Sequence, residues 1–256
     1  MGGNRGATTG LQLVLKTGGL DLAVSAARPR EADLGNYRGS LAPFGIPSED
    51  LDAAEIRRRW PAWRIGDEVV GLYQPDGGIL DIRRANAAAR SRWPGAAGLS
   101  SGRTRRCRGS PRGRTGSPSP PTTALWRPTM SVLAAWRHWL LLALLGDLGL
   151  NWRITLSQEQ VSYFATPNVR DFTPDRFPMW IWHGEHLFYG FPVYGEVAVK
   201  AARDMTGRFV TQETRSSEPD RRETELIAAF LRERLPGAVG PELLSKTCVY
   251  DDAARP

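Results

Sequence analysis

The residues whose types could do chemistry stand near the end of the chain. Tyr189 opens the run Tyr-Gly-Phe-Pro, Lys200 closes Glu196-Val-Ala-Val-Lys200, and Cys248 lies within Lys246-Thr-Cys-Val-Tyr250. A phenol can hold an anion, an ammonium can stabilise negative charge that develops in a reaction, and a thiolate can form a covalent bond. Each also has a plainer reading. Free cysteine is most often a small buried hydrophobe, and Tyr189 suits a cross-strand aromatic. Alternation alone makes Lys200 a solvated lysine at a strand end, with Val197 and Val199 facing the other way. His183 and His186 flank a turn, where side chains are usually exposed, and two histidines without a third ligand make no metal site, so no metal is expected.

Paired strands are needed to bring such side chains together, and the flanking sequence supplies them. Arg153 to Phe164 and Pro178 to His183 are strand-like, and the second turns at Gly184-Glu185 into Leu187 to Phe191. Asp220 and Glu223 have capping-box spacing, opening a helix with Leu226, Ile227, Phe230 and Leu231 on one face and Pro236-Gly237 at its end. Earlier, Leu11 to Val24 reads as a hairpin about Gly18-Gly19. Asp52-Ala-Ala-Glu55 caps a helix that Pro61 stops, Glu68 to Tyr73 is a strand, and Pro75-Asp-Gly-Gly78 is a turn into Ile79-Leu80. Strands with few helices give an α+β domain centred on an antiparallel sheet.

The formal charge of +7 over 256 residues does not point to nucleic acid. From Ile82 to Gly146 there are twelve arginines and no acidic residue, and the rest of the chain holds 22 basic against 27 acidic residues. Gly98 to Pro121 is almost wholly Gly, Ser, Arg, Pro and Thr, too poor in apolar surface to offset its ordering entropy, so disorder is expected. No aromatic residue interleaves Arg103 to Arg114, so base stacking has no platform. Two cysteines, Cys107 and Cys248, form no disulfide framework and fit a reducing cytoplasm. Met1-Gly-Gly-Asn-Arg is followed by no apolar core, so no secretory signal is expected. The longest apolar run, Val132 to Leu145, has 14 residues and contains Arg137 and His138, too short and interrupted for a membrane span.

Two blocks carry family-like motifs. The first, from about residue 11 to 89, holds Leu15-Lys-Thr-Gly-Gly-Leu20, Glu55-Ile-Arg-Arg-Arg-Trp-Pro61 and Gln74-Pro-Asp-Gly-Gly-Ile-Leu80. The second, from about 150 to 251, holds Leu156-Ser-Gln-Glu-Gln-Val-Ser-Tyr163, the Tyr-Gly-Phe-Pro run, Leu235-Pro-Gly-Ala-Val-Gly240 and Thr247-Cys-Val-Tyr250. Together they resemble the monomeric sarcosine oxidase and N-methyltryptophan oxidase group of flavin amine oxidases. The resemblance implies an antiparallel-sheet substrate domain with remnants of a Rossmann-like FAD-binding domain. It implies FAD as cofactor, tethered by a thioether to Cys248. Lys200 would lie beside the flavin and promote the reaction of its reduced form with oxygen, and Tyr189 would help bind the substrate carboxylate. An N-methyl amino acid and oxygen would give formaldehyde, the amino acid and hydrogen peroxide, in a cytoplasmic monomer with no membrane partner.

Departures from the family pattern shape three expectations. Asp204 stands four residues after the lysine, where sarcosine oxidases have histidine, which puts sarcosine itself in doubt as substrate. No dinucleotide-binding glycine fingerprint occurs; in the family it precedes the first block, so an incomplete form, inactive on N-methyl amino acids, is expected. The expected organisation is 1–89 as substrate- and FAD-domain segment, 90–147 as an atypical Arg/Pro/Ser-rich stretch, and 148–256 as substrate domain. Within the middle stretch, Val132-Leu-Ala-Ala-Trp136 faintly echoes a family strand without its glycine, and the composition is that of a stretch read out of frame. The competing readings are an inactive fragment without catalysis and an Arg-rich nucleic-acid-binding module. Limited proteolysis should cut first between Arg90 and Pro121; resistance there while Leu150 to Tyr250 is digested would overturn this organisation.

Overall fold

The computed structural model describes residues 12–25, 28–88, 154–211 and 213–253. The expectations for 90–147, including the arginine tract and Cys107, fall outside the described residues. In the first block the elements are β1 (Val14–Lys16), β2 (Gly19–Val24), α1 (Arg28–Leu41), β3 (Glu49–Asp52), α2 (Ala53–Arg59), β4 (Val69–Gln74) and β5 (Gly78–Leu80). In the second they are β6 (Ile154–Phe164), β7 (Met179–His183), β8 (Leu187–Phe191), β9 (Val199–Asp204), β10 (Arg208–Phe209), α3 (Arg221–Arg234) and β11 (Glu242–Ala253).

Nine strands form one sheet. β11 pairs β6, which also pairs β9 and β10; β8, β7, β2, β4 and β3 follow from β9. Every pairing is antiparallel except β2 with β7. The α+β architecture expected from the sequence is therefore observed. The hairpin expected over Leu11 to Val24 is not. β1 pairs β5 and β2 pairs β4, so residues 14–24 run as one broken strand beside residues 69–80. Gly18, at φ 77°, supplies a kink in that strand instead of a reversal. The alternation on both sides of the glycines was real, but its partner is a distant segment.

Side chains opposed across a sheet share a face, and that rule divides this one. One face carries the row Trp180, Gly190, Ala201, Ser162 and Ser245 across β7, β8, β9, β6 and β11. Gly190 is required there: a Cβ would stand 2.4 Å from Cζ2 of Trp180. Helix α3 covers this face. Its Ile227 and Leu231 are fully buried, and Phe230 stacks on Phe188 at 4.1 Å between ring centroids and packs on Trp180 and Trp182. Leu20, Leu22 and Ile56 continue the same core. Near β6 and β11 the contact turns polar, with Gln160 donating to Thr224 Oγ1 at 2.9 Å and Ser162 bonding Ser245 at 2.8 Å.

Both expected helix caps form, but in each the glutamate of the capping box turns to arginine, Glu55 to Arg58 and Arg59 and Glu223 to Arg203. Asp52 accepts from the Glu55 amide at 2.7 Å. Asp220 accepts from the Arg222 amide at 2.9 Å, but Glu223 turns away to make a bidentate pair with Arg203 at 2.6 and 2.9 Å. A nearby guanidinium offers two charge-assisted bonds, more than the cap amide can. Leu226, expected on the apolar face of the helix, is 48% exposed.

The two leucines separate packing from helix propensity. Leu231→Ala should cost about 2–5 kcal/mol of unfolding free energy, and Leu226→Ala under about 0.5 kcal/mol, in urea titrations of the whole chain. Equal losses would show that α3 does not pack as described.

Candidate functional site

The opposite face gathers the three chemistry-bearing residues. Lys200 on β9 stands across from Phe191 on β8 and Tyr163 on β6. Two residues along, Ala202 pairs Tyr189 on β8 and Val161 on β6, which in turn pairs Lys246 on β11. Cys248 pairs Glu159, and Tyr250 pairs Ser157, again on the same face. Tyr189, Lys200 and Cys248 thus lie on one face of four neighbouring strands, about 14 Å wide at the usual strand spacing. All three are half-buried.

Lys200 is not where alternation put it. The strand expected from Glu196 to Lys200 runs instead from Val199 to Asp204, so the lysine is near its beginning. Val199 is fully buried while Val197 is 68% exposed in the bend before the strand. The Lys200 ammonium sits 4.7 Å from the Phe191 ring centroid and 6.0 Å from that of Tyr189. Among the described residues no carboxylate makes an ion pair with it. Burial lowers its pKa below the ordinary lysine value, Cys248 opposes this, and Lys246 adds to it.

The Tyr189 and Tyr250 hydroxyls lie 3.5 Å apart. Burial pushes Tyr189 up, and the Tyr250 hydroxyl adds to the rise. Tyr250 is raised as well, again by burial first. Both phenols therefore stay neutral donors. Burial raises the Cys248 thiol, the Glu159 and Asp204 charges raise it further, and Lys200 pulls it down. Asp204 acts on both tyrosines and on the cysteine, so it faces the same cluster.

Glu159 and Tyr250 had not been singled out as site residues. The signal was present: Ser157, Glu159, Val161 and Tyr163 alternate along β6, so one charge shares the face that Lys200 and Cys248 occupy. His183, expected to be an exposed turn residue, is 1% exposed and places Nε2 2.9 Å from Asp21 Oδ1. Ala23, one strand over, leaves room for it, and Tyr37 of α1 covers it at 5.7 Å between ring centroids. His186 does not join it, and among the described residues no group of three or more metal-ligating side chains occurs. Nor is any described helix long and apolar enough to cross a membrane. A concavity lined by Arg59, Trp60, Asn168, Arg176 and Phe177 opens elsewhere and contains none of the three residues.

No family model matches the chain. Its sequence is similar to monomeric sarcosine oxidase from Streptomyces avermitilis, 26% identical over 256 residues, covering 96% of this chain and 63% of that protein. Its fold is similar to that of NikD, an amino acid oxidase essential for nikkomycin biosynthesis, with a TM-score of 0.65 at 19% identity over 96% of this chain and 63% of that one. Iminodiacetate oxidase from Chelativorans sp. BNC1 gives 0.61 at 19% identity, covering 97% of this chain and 64% of that one. Glycine oxidase from Geobacillus kaustophilus gives 0.63 at 14% identity, covering 97% and 62%. The chain spans just under two thirds of the length of each. The resemblance read from the motifs is borne out: the chain is similar in sequence to monomeric sarcosine oxidase, and its mixed α+β fold with an antiparallel-dominated sheet is shared with these amino acid oxidases.

Competitive amine labelling against pH should find Lys200 reactive at lower pH than free lysine, because a lowered pKa brings the neutral amine in earlier. A midpoint at or above the ordinary value would mean that the ammonium is solvated after all.

Proposed function

We propose that this chain forms the substrate-side wall of an FAD-dependent amine oxidase acting on N-methyl amino acids, with Tyr189, Lys200 and Cys248 as its working residues. The observation that carries this is their convergence on one sheet face, where no packing role of any one of them requires the other two. The donor set fits a flavin: a half-buried ammonium with no carboxylate ion pair among the described residues, neutral phenols, and a thiol within the same four strands. Bound FAD would supply the hydride acceptor for the carbon beside the substrate nitrogen, and dioxygen would carry the electrons on to hydrogen peroxide.

The chain's own residues supply position and charge. Tyr189 donates to the substrate carboxylate, and its raised pKa keeps that proton in place across the working pH range. Lys200 holds a positive charge in a partly desolvated position, where it stabilises negative charge on reduced oxygen more than a solvated lysine would. Cys248 offers the sulfur for attachment of the cofactor at the edge of the same face. Similarity to a sarcosine oxidase and the shared fold of amino acid oxidases support this reading; Asp204 narrows it away from sarcosine toward another secondary amine.

Without a glycine fingerprint the chain alone, supplemented with FAD, should give no peroxide from N-methyl amino acids in a peroxide-coupled assay. Joined to an FAD-binding segment that carries the fingerprint, it should show visible flavin absorbance that survives denaturation and is lost in Cys248→Ala, and Lys200→Met should lower the turnover of the joined protein by about 10²–10³-fold while retaining the melting midpoint, since the substitution removes a desolvated charge. A joined protein that stays colourless and gives no peroxide would sink the proposal.

A further inference from the structure

Glu159 has no part in the reading above, yet the fold fixes it with care. It is 4% exposed, in the strand position directly opposed to Cys248. The Gly207 amide donates to both of its carboxylate oxygens at 3.0 and 3.1 Å, and the Ser157 hydroxyl donates to Oε1 at 3.1 Å. The Gly207 amide reaches it because residues 205–207 bulge out between β9 and β10, with Met205 at a left-handed φ of 55°. A non-glycine residue at that φ is strained. Position 207 is equally constrained, since a Cβ there would stand 2.3 Å from the Gln158 carbonyl oxygen and 2.5 Å from Glu159 Oε1. A bulge, a strained methionine and an obligatory glycine together aim one amide at one buried carboxylate.

We propose that Glu159 is a guard for Cys248, an anion fixed across the strand pair that keeps the sulfur a neutral thiol in the flavin-free chain. The need for a guard rests on the oxidase reading, because flavin-loaded copies would release peroxide while copies without flavin still carry a free thiol. A thiolate attacks peroxide: an S–O bond forms, the O–O bond breaks and hydroxide leaves, so sulfur is oxidised to sulfenic acid as peroxide is reduced. A thiol does this far more slowly. Charges from every neighbouring strand act on the sulfur. Glu159 from β6 and Asp204 from β9 oppose ionisation, Lys200 from β9 favours it, and Lys246, Tyr250 and Tyr189 complete the surroundings on β11 and β8. After burial, Glu159 is the largest of these influences on Cys248 and outweighs Lys200. The protein thus sets a cation where it serves oxygen chemistry and an anion where it shields the thiol.

The test uses the whole chain without flavin. Iodoacetamide alkylation of Cys248, followed by mass spectrometry across pH, should have its midpoint above that of an ordinary thiol. Glu159→Gln should lower the midpoint by about one unit, making alkylation near neutral pH about tenfold faster, and sulfenic acid trapped by dimedone after peroxide should rise in parallel. Glu159→Asp, which keeps the charge, should follow the wild-type profile. An unchanged or raised midpoint in Glu159→Gln, or an equal shift in Glu159→Asp, would overturn the proposal. Should Glu159→Gln fail to fold, wild-type chain decides through a pair of methanethiosulfonates of equal size. Relative to a free thiol, the cationic reagent should be favoured at Cys248 over the anionic one; the reverse order refutes a guarding anion. None of these measurements involves flavin, so failure to bind FAD would count against the oxidase reading and leave the thiol profile standing.

Discussion

Strand register is the constraint on which everything else here depends. With a side-chain period of two, a slip of one residue in β9 would send Lys200 into the core and turn Ala201 and Arg203 outward. Packing on the far face prevents this. Trp180 fills the space that Gly190 and Ala201 leave across β8 and β9, and α3 lays Phe230 over Trp180, Trp182 and Phe188. Each fully buried large side chain in that layer contributes about 1.5–3 kcal/mol, so a slipped register forfeits several such terms at once. The chemistry on one face is held in place by the aromatic packing on the other.

Helix α1 covers the other face of the sheet only in part. It packs Leu34 against Ala23, Leu72 and Val70, and covers His183, over the β2, β4 and β7 end. Farther along that face Tyr189, Lys200, Cys248 and Tyr250 are half-buried and not sealed, and Arg83 lies close enough to Tyr163 to act on its phenol. Alanine at 202 sits low between Tyr189 and Val161, so the ring of Tyr189 and the stem of Lys200 stand above a shallow floor. The aromatic layer on the far face leaves this one free to carry polar groups at modest cost in stability.

Much of this was legible in the sequence because alternation and capping are local. β4, β6, β7, β8 and α2 lie close to where periodicity and the Asp52 cap put them. The errors share one cause, that the partner of a strand or side chain is set by tertiary structure. Gly18-Gly19 looked like a hairpin turn because the strand that pairs with residues 14–24 is about fifty residues away. His183 looked exposed because Asp21, its partner, lies 162 residues earlier. Leu226 fits a helical apolar stripe, but the stripe that packs is narrower, centred on Ile227 and Leu231. Glu159 was visible as one charge among glutamines, and its meaning appears only once β11 is laid beside β6.

The electrostatics of the exposed end follow from that same juxtaposition. A cluster containing Lys200, Lys246, Glu159 and Asp204 on three adjoining strands could have collapsed into ion pairs, which would have fixed Lys200 and consumed its charge. Geometry forbids it for Glu159, whose oxygens are held by the Gly207 amide and Ser157, and π-faces of Phe191 and Tyr189 take the place of a carboxylate at Lys200. Ring quadrupoles attract an ammonium by only about 0.5–2 kcal/mol, enough to orient it without neutralising it. The bulge at 205–207 is therefore more than a local irregularity. By directing an amide to Glu159 it holds that anion across from Cys248, while Lys200 stays against the rings of β8, so these two opposite charges persist a short distance apart instead of cancelling as a pair.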